Sequence, residues 1–515
     1  MYRSLGRRLS FGAAAAVAAI AFAAPAYAAA PTVDVVLPDV TVAAGAGIQV
    51  APILYADQES RLSNATMTFE LSGDLGGARL EHPDEFDVCE SVSPTKLTCT
   101  MPFEIGVGPD GVIGYFQAGL TAPKTALGKT GKITATFTAD GVAKVTTSAQ
   151  VNVAGGVDLA AGEGSEISVK VGADFDAKLQ VRNNSDEVVH GAAIIFNTDY
   201  AFSSPKQFSN CWYGGGSVNA CSFDQELQPG STYEVSVPYR LRADTAAPGS
   251  EYGQFEWLTG DDYQDLLTFL HDNGYDGPGD EGKGAKLGLT SLSAARAVKQ
   301  TDVNPENNWQ DLRVNALGKQ GTDFVALGAT AKGAKGDTVT LPVGTRNNGP
   351  ATVDRNRAGE SAATVIVTIP AKTKVVTVPE DCVKADDGSL TTNRKAVQYA
   401  CFSSPLFPAK TTVLWKFGVK LTDDVTNAKG LVEVNPPCEC DRFAGDINKK
   451  NDTAKIVINP VAGGSPDEGS GGQGGGSLPI TGPQTALFGG AGAVLVAGGV
   501  LGFFLARRRR TRFEA

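Results

Sequence analysis

From Tyr233 to Leu241 the chain alternates without a break: Tyr233, Val235, Val237, Tyr239 and Leu241 are apolar, and Glu234, Ser236, Pro238 and Arg240 separate them. A side-chain period of two is the mark of a strand with one buried face. Val413, Trp415, Phe417, Val419 and Leu421 repeat the pattern further on. So do Ala65, Met67, Phe69 and Leu71, and again Ile133, Ala135 and Phe137. Pro238 has no amide hydrogen to donate, which places its strand at a sheet edge or a bulge. Short alternating segments divided by Gly, Pro and Asn turns predict an all-β chain of sandwiches.

The cysteines divide this pattern into three repeats. They fall as Cys89 with Cys99, Cys211 with Cys221, Cys382 with Cys401, and a late Cys438-Glu439-Cys440. An even number of cysteines in an exported chain reads as disulfides. After each of the first three pairs comes a similar stretch: Pro109 to Pro123, Pro229-Gly230 leading into Tyr233, and Pro408 leading into Val413. In the third repeat four cysteines allow three connectivities. Analogy with the other repeats implies Cys382 with Cys401, which leaves Cys438 and Cys440 in a small ring or unpaired.

The second and third repeats share more. Val181-Arg182-Asn183-Asn184 answers Thr345-Arg346-Asn347-Asn348, and Asp302-Val303-Asn304 answers Asp446-Ile447-Asn448. Asn tolerates left-handed backbone and bonds nearby amides, so these clusters are turn chemistry; a calcium site on Asp302 and Asn304, or on Asp446 and Asn448, is the alternative. On these motifs the two repeats resemble the immunoglobulin-like repeats of bacterial surface proteins, which implies three tandem β-sandwich domains over 29–154, 155–316 and 317–461. The first repeat lacks both Asn motifs.

From the Asn-Asn pair to the Asp-x-Asn motif is 119 residues in the second repeat and 99 in the third. The surplus falls near 258–301. There Asp261 is expected to cap a short helix with Tyr263, Leu266, Leu267 and Leu270 on one face, ending near Gly274. Asp272, Asp276, Asp280 and Glu281 follow, without the spacing of an EF-hand, and read as a solvated acidic loop.

Both ends read as addresses. Arg3, Arg7 and Arg8 precede an apolar stretch from Phe11 to Ala24, and Ala26-Tyr27-Ala28 supplies small residues for cleavage near Ala28. Residues 1–28 are therefore expected to be removed by a signal peptidase. At the far end stand Leu478, Pro479, Ile480, Thr481 and Gly482, an apolar run from Leu487 to Ala506, and five arginines between Arg507 and Arg512. Twenty helical residues reach about 30 Å, one bilayer core, and the arginines hold the tail on the cytoplasmic side.

This order resembles the LPXTG sorting signal of Gram-positive cell-wall surface proteins. The resemblance implies that a sortase cleaves after Thr481 and joins its carbonyl to peptidoglycan, with 478–515 as the sorting signal and the precursor transiently in the membrane. Residues 462–477 are Gly- and Ser-rich, a flexible tether of about 22 Å end to end.

Composition narrows the chemistry. The 515 residues include only three His and three Met, and no nucleophile elbow, His-Glu-x-x-His helix or phosphate-binding glycine loop occurs. No catalytic residue, metal ligand or cofactor is therefore assigned. Residues 29–481 carry 37 basic and 55 acidic side chains, which makes nucleic acid an unsuitable partner for the chain as a whole. The reading is a non-enzymatic, wall-anchored surface protein, structural or adhesive, whose surface ligand, protein or glycan, is unidentified. A wall-displayed carbohydrate-binding module or enzyme is the alternative. For it the candidate contacts are Trp212 and Tyr213, two aromatics beside three glycines within a clamped hairpin.

Overall fold

The computed structural model describes residues 30–82, 88–109, 111–272, 277–289, 299–385, 397–436 and 446–461. Within them strands alternate buried and exposed positions as the period of two requires. Thr232–Leu241 buries Tyr233, Val235, Val237, Tyr239 and Leu241, and Thr412–Leu421 buries Trp415, Phe417, Val419 and Leu421. These faces build three separate cores, from Val33 to Val153, from Val157 to Ala316 and from Phe324 to Ile458. Each is a sandwich.

The second and third sandwiches share one strand order. In the third, a four-stranded sheet runs Phe324–Leu327, Thr338–Asn347, Thr412–Leu421, Thr373–Thr377. Facing it, a six-stranded sheet runs Ala329–Ala331, Thr453–Ile458, Ala428–Val434, Thr364–Thr368, Gln398–Phe402, Cys382–Ala385. The first sheet has the A-B-E-D order of an immunoglobulin-like sandwich, and the second has a G-F-C core.

In the second sandwich Leu159–Ala161, Asp174–Asn183, Thr232–Leu241 and Phe202–Ser203 form the four-stranded sheet. Its partner begins Ser165–Lys170, Trp309–Gln320, Ala247–Thr259, Val189–Thr198. The first sandwich, which lacks the Asn motifs, keeps this second sheet. It runs Val40–Ala43, Val145–Val157, Thr130–Thr138, Thr66–Asp74, Lys96–Thr100, Cys89–Ser93, and several shorter ladders stand opposite.

In all three the opening strand of the larger sheet lies parallel to the closing one: Val40–Ala43 on Val151–Ala154, Ser165–Lys170 on Leu312–Leu317, and Ala329–Ala331 on Ile456–Ile458. Pro238 pairs with Asp176, and the strand beyond it reaches only Arg240 and Leu241. Pro342 likewise lies past the neighbour that covers Gly344 to Asn347. Both prolines sit where one side of the strand has no ladder to complete, which is where a missing donor costs least.

The insertion contains one helix, Gly260–Asp272, which lays Tyr263 on the outer face of the larger sheet against Ala193, Ile195, Ala220 and Leu258. Its cap is Thr259 rather than the expected Asp261: Asp262 N donates to Thr259 Oγ1 at 3.1 Å. Asp261 is turned the other way, and its Oδ2 accepts from Gln300 N at 2.7 Å. The expected acidic loop is partly a strand, since Asp280–Glu281 pairs with Trp212 and Tyr213. Asp276 and Gly274 lie outside the described residues.

Candidate functional site

The three cysteine hairpins join Cys89 to Cys99, Cys211 to Cys221 and Cys382 to Cys401. Each pair is directly opposite in register across two adjacent strands. The first and third thereby fasten the last strand of the larger sheet, and the second fastens a strand with only Asp280–Glu281 beyond it. Closing so short a loop restricts the unfolded chain by roughly 3 kcal/mol. Replacing Cys211 and Cys221 together by Ser is expected to lower the unfolding free energy of the second sandwich by about that amount, read by denaturant titration. An unchanged midpoint would show that the clamp contributes nothing. Cys438 and Cys440 lie outside the described residues, as do Leu478, Pro479, Ile480, Thr481 and Gly482.

Trp212 and Tyr213 do not form one aromatic face. Neighbouring residues on a strand point to opposite sides. Tyr213 enters the second core, 7 % exposed, with its hydroxyl accepting from Phe208 N at 2.9 Å. Trp212 lies on the outer face against Tyr263 of the helix, ring centroids 5.9 Å apart. The sequence shows two aromatics beside glycines, but not the helix that covers one of them.

The Asn motifs are buried turn supports. Asn183, fully buried, donates to Glu187 O and Leu227 O at 2.7 and 2.8 Å and accepts from Ser185 N at 2.9 Å. Asn347, also buried, donates to Ala351 O at 2.8 Å and accepts from Gly349 N at 3.0 Å. Asp302 spends its oxygens on Leu159 N and Asn304 N, at 2.8 and 2.7 Å, and Asp446 on Phe324 N and Asn448 N, at 3.1 and 2.9 Å. Oxygens that face amide donors are set for turn closure, which ties the opening strand of each sandwich to its closing hairpin. Among the described residues no three His, Cys, Asp or Glu side chains converge as a metal site.

The joints between sandwiches were invisible in the sequence. At the first, Val145–Val157 leaves the first sheet and ends in the second core, and Gly155 to Val157 pair in parallel with Gln300–Asp302. Lys299 Nζ lies 2.8 and 2.9 Å from the two oxygens of Asp265 on the helix, and Thr41 Oγ1 of the first sandwich donates to Asp265 Oδ2 at 2.7 Å.

At the second joint Thr352 donates to Asp244 twice, from N to O at 2.7 Å and from Oγ1 to Oδ2 at 2.5 Å. Tyr200 N donates to Asp354 Oδ2 at 2.8 Å, and Arg357 Nε donates to Asp199 Oδ1 at 2.8 Å. No repeat or period marks these residues. They come from loops some 110 to 160 positions apart.

This second joint gathers arginines and carboxylates, with Arg242 Nε donating to Tyr200 O at 2.6 Å beside Asp244. Asp199, Asp354 and Glu251 lie within electrostatic reach of one another, and Arg357 is the cation acting on Asp199 and Glu251. Burial, and then the charges of Asp199 and Asp354, push Glu251 up to about 7; burial raises Asp199 despite Arg357. A carboxyl whose pKa is raised in the fold favours the folded form at acid pH and opposes it as pH climbs through the folded value. The second sandwich is therefore expected to lose stability through Glu251 as pH rises from 4.5 towards 7, read by thermal unfolding. Arg357→Ala removes a charge that lowers both groups and is expected to enlarge that loss. A flat pH response in both proteins would refute the charge account.

Comparison with protein-family models finds no match, and comparison with curated proteins finds none. Among solved structures, the chain is similar to a Clostridium thermocellum cohesin in a cohesin–dockerin complex, at 9 % identity over 27 % of this chain and 99 % of that one, TM-score 0.18. A Clostridium acetobutylicum protein, CaCohA2, aligns at 15 % identity over 27 % of this chain and 92 % of that one, TM-score 0.18. The I67-I69 I-band fragment of titin aligns at 10 % identity over 84 % of this chain and 99 % of that one, TM-score 0.15. Similarity this low carries no functional inference, and the immunoglobulin-like assignment stands on strand order and cores.

Proposed function

We propose that the chain is a non-enzymatic surface protein of the Gram-positive wall, a stalk of three sandwiches with a structural or adhesive role. Sortase would attach it to peptidoglycan through Thr481. The observation that carries this reading is the order of residues at 478–512: pentapeptide, apolar run, arginine cluster, set behind a Gly/Ser tether. In the transfer a sortase thiolate attacks the carbonyl of Thr481, the Thr481–Gly482 bond breaks, and 482–515 leaves with a new amino terminus. A wall amine then displaces the thiol to form the amide.

The sandwiches suit a stalk. Parallel pairing of opening and closing strands means that a pull on the two ends loads several ladder bonds together, and hydrogen-bonded joints limit bending. No arrangement at Trp212 and Tyr213 favours the sugar-binding or enzymatic alternative. The test is the mass of the C-terminal peptide after muramidase digestion of walls. The expected peptide ends in Thr481 bearing a wall fragment, and recovery of mature protein ending in Ala515 would overturn the proposal.

A further inference from the structure

The second and third sandwiches carry the same four-stranded sheet in the same register, yet its solvent face is charged differently. In the second, the outward positions of Asp174–Asn183 and Thr232–Leu241 hold Asp174, Asp176, Lys178, Arg182, Glu234 and Arg240, so the face is neutral. Arg240 lies against Asp174 at 2.6 Å and Lys178 against Glu234 at 3.8 Å. In the third, the corresponding acids are replaced by Thr338, Thr340 and Leu414. No Asp or Glu occurs anywhere in its four strands, which carry Arg346, Lys374, Lys416 and Lys420, all exposed.

Among the described residues none of these four cations is in an ion pair. Lys374 and Lys420 stand directly opposite each other in register. Like charges in that position oppose pairing of their strands, so the face is built against its own stability. It is also out of keeping with the rest of the molecule. Residues 155–316 have a net charge of −13, and 317–461 of +4.

The cations form a line. Arg346 sits opposite Thr412, Lys416 opposite Pro342, and Lys420 between Thr338 and Lys374, so successive positions lie four residues, about 14 Å, apart along the strand direction. Between them the surface is low and uncharged, with Pro342, Gly344, Leu414 and Gly418. A row of about 27 Å fits an extended chain bearing regularly spaced charge, rather than a small ligand.

We propose that this face of the third sandwich binds a linear phosphate-bearing polymer of the cell wall, laid along Arg346, Lys416, Lys420 and Lys374. The choice of a wall polymer rests on the proposed attachment at Thr481, because the third sandwich is the one joined to that residue by the tether. It would hold the base of the stalk against the wall while the acidic second sandwich is repelled from it.

The test uses the full chain in neutral detergent and immobilised inorganic polyphosphate. Four contacts to a flexible polyanion predict an affinity loss of about 50-fold between 50 and 200 mM salt. The combined Lys374→Thr, Lys416→Ser and Lys420→Thr variant is expected to bind at least about 10-fold more weakly at 50 mM salt. So is a second variant that keeps every lysine, with Thr338→Asp, Thr340→Asp and Leu414→Glu copying the neutral face. Lys170→Gln with Lys332→Gln, outside the row, is expected to bind as the parent does.

Unaltered binding by the first two variants would overturn the proposal, as would binding without salt dependence. Tighter binding to single-stranded DNA than to polyphosphate would reassign the face to nucleic acid, and binding to anionic vesicles alone would reassign it to a membrane surface; either defeats the proposal. The polymer is free of the wall in this assay, so failure here is distinguishable from failure of attachment at Thr481.

Discussion

Thr481→Ala is expected to convert a wall-bound protein into one that stays in the membrane fraction, uncleaved and extractable by detergent. The physical reason is order of events: on the proposed reading the apolar run from Leu487 to Ala506 and the arginines beyond it would arrest the chain in the bilayer, and only transfer of the Thr481 acyl group would free it. Without the threonine hydroxyl and methyl, the pentapeptide no longer matches the sorting signal it resembles. The readout is fractionation. Parent protein should resist boiling detergent and come free on muramidase digestion; the variant should do the reverse. If Thr481→Ala also needed muramidase for release, attachment would lie elsewhere in the chain.

Glu256→Met is expected to stabilise the second sandwich by about 3 kcal/mol at pH 7 and by little at pH 4. Glu256 is 1 % exposed, on the outer face of the larger sheet with Ile195 opposite on one side and Trp309 on the other. Its Oε2 has no hydrogen-bond partner among the described residues. Burial, with the charge of Asp262 adding to it, pushes its pKa from 4.5 to about 8.

A raised folded pKa means that the native form keeps a proton the unfolded form has already released. Stability is then fully present below about 4.5 and falls as pH rises towards 8. Asp262, pushed up to about 6 mainly by burial, acts in the same direction at lower pH. An apolar side chain of similar length removes the Glu256 contribution and flattens the profile. Thermal unfolding at pH 4, 7 and 8.5 reads it. Equal destabilisation at all three pH values would mean that Glu256 holds a packing role no thioether can fill.

Much of the architecture was legible because strands report one face of themselves. The alternation at Tyr233 to Leu241 and at Val413 to Leu421 carries straight into buried and exposed positions, and Pro238, in a strand between two others, marks the stretch where one side has no ladder. The helix was legible from Tyr263, Leu266, Leu267 and Leu270, but its cap was not. Thr259 and Asp261 are both good caps, and the choice depends on Gln300 N drawing off the Asp261 carboxylate. Trp212 and Tyr213 misled for a related reason, since adjacency in sequence places strand residues on opposite faces.

By itself, then, the sequence determined the local and the covalent: which segments are strands, where turns fall, which cysteines stand in hairpins, and the terminal motifs that an exporting and anchoring machinery would read as linear text. Tertiary structure decided what meets across distance. It brought Arg357 to Asp199, Thr41 to Asp265, and Thr352 to Asp244, buried Glu256 with its Oε2 unpartnered among the described residues, and aligned four cations from three strands into one row. Periodicity is a property of neighbours along the chain, whereas charge and desolvation act through space, so only the folded arrangement sets their sign and strength.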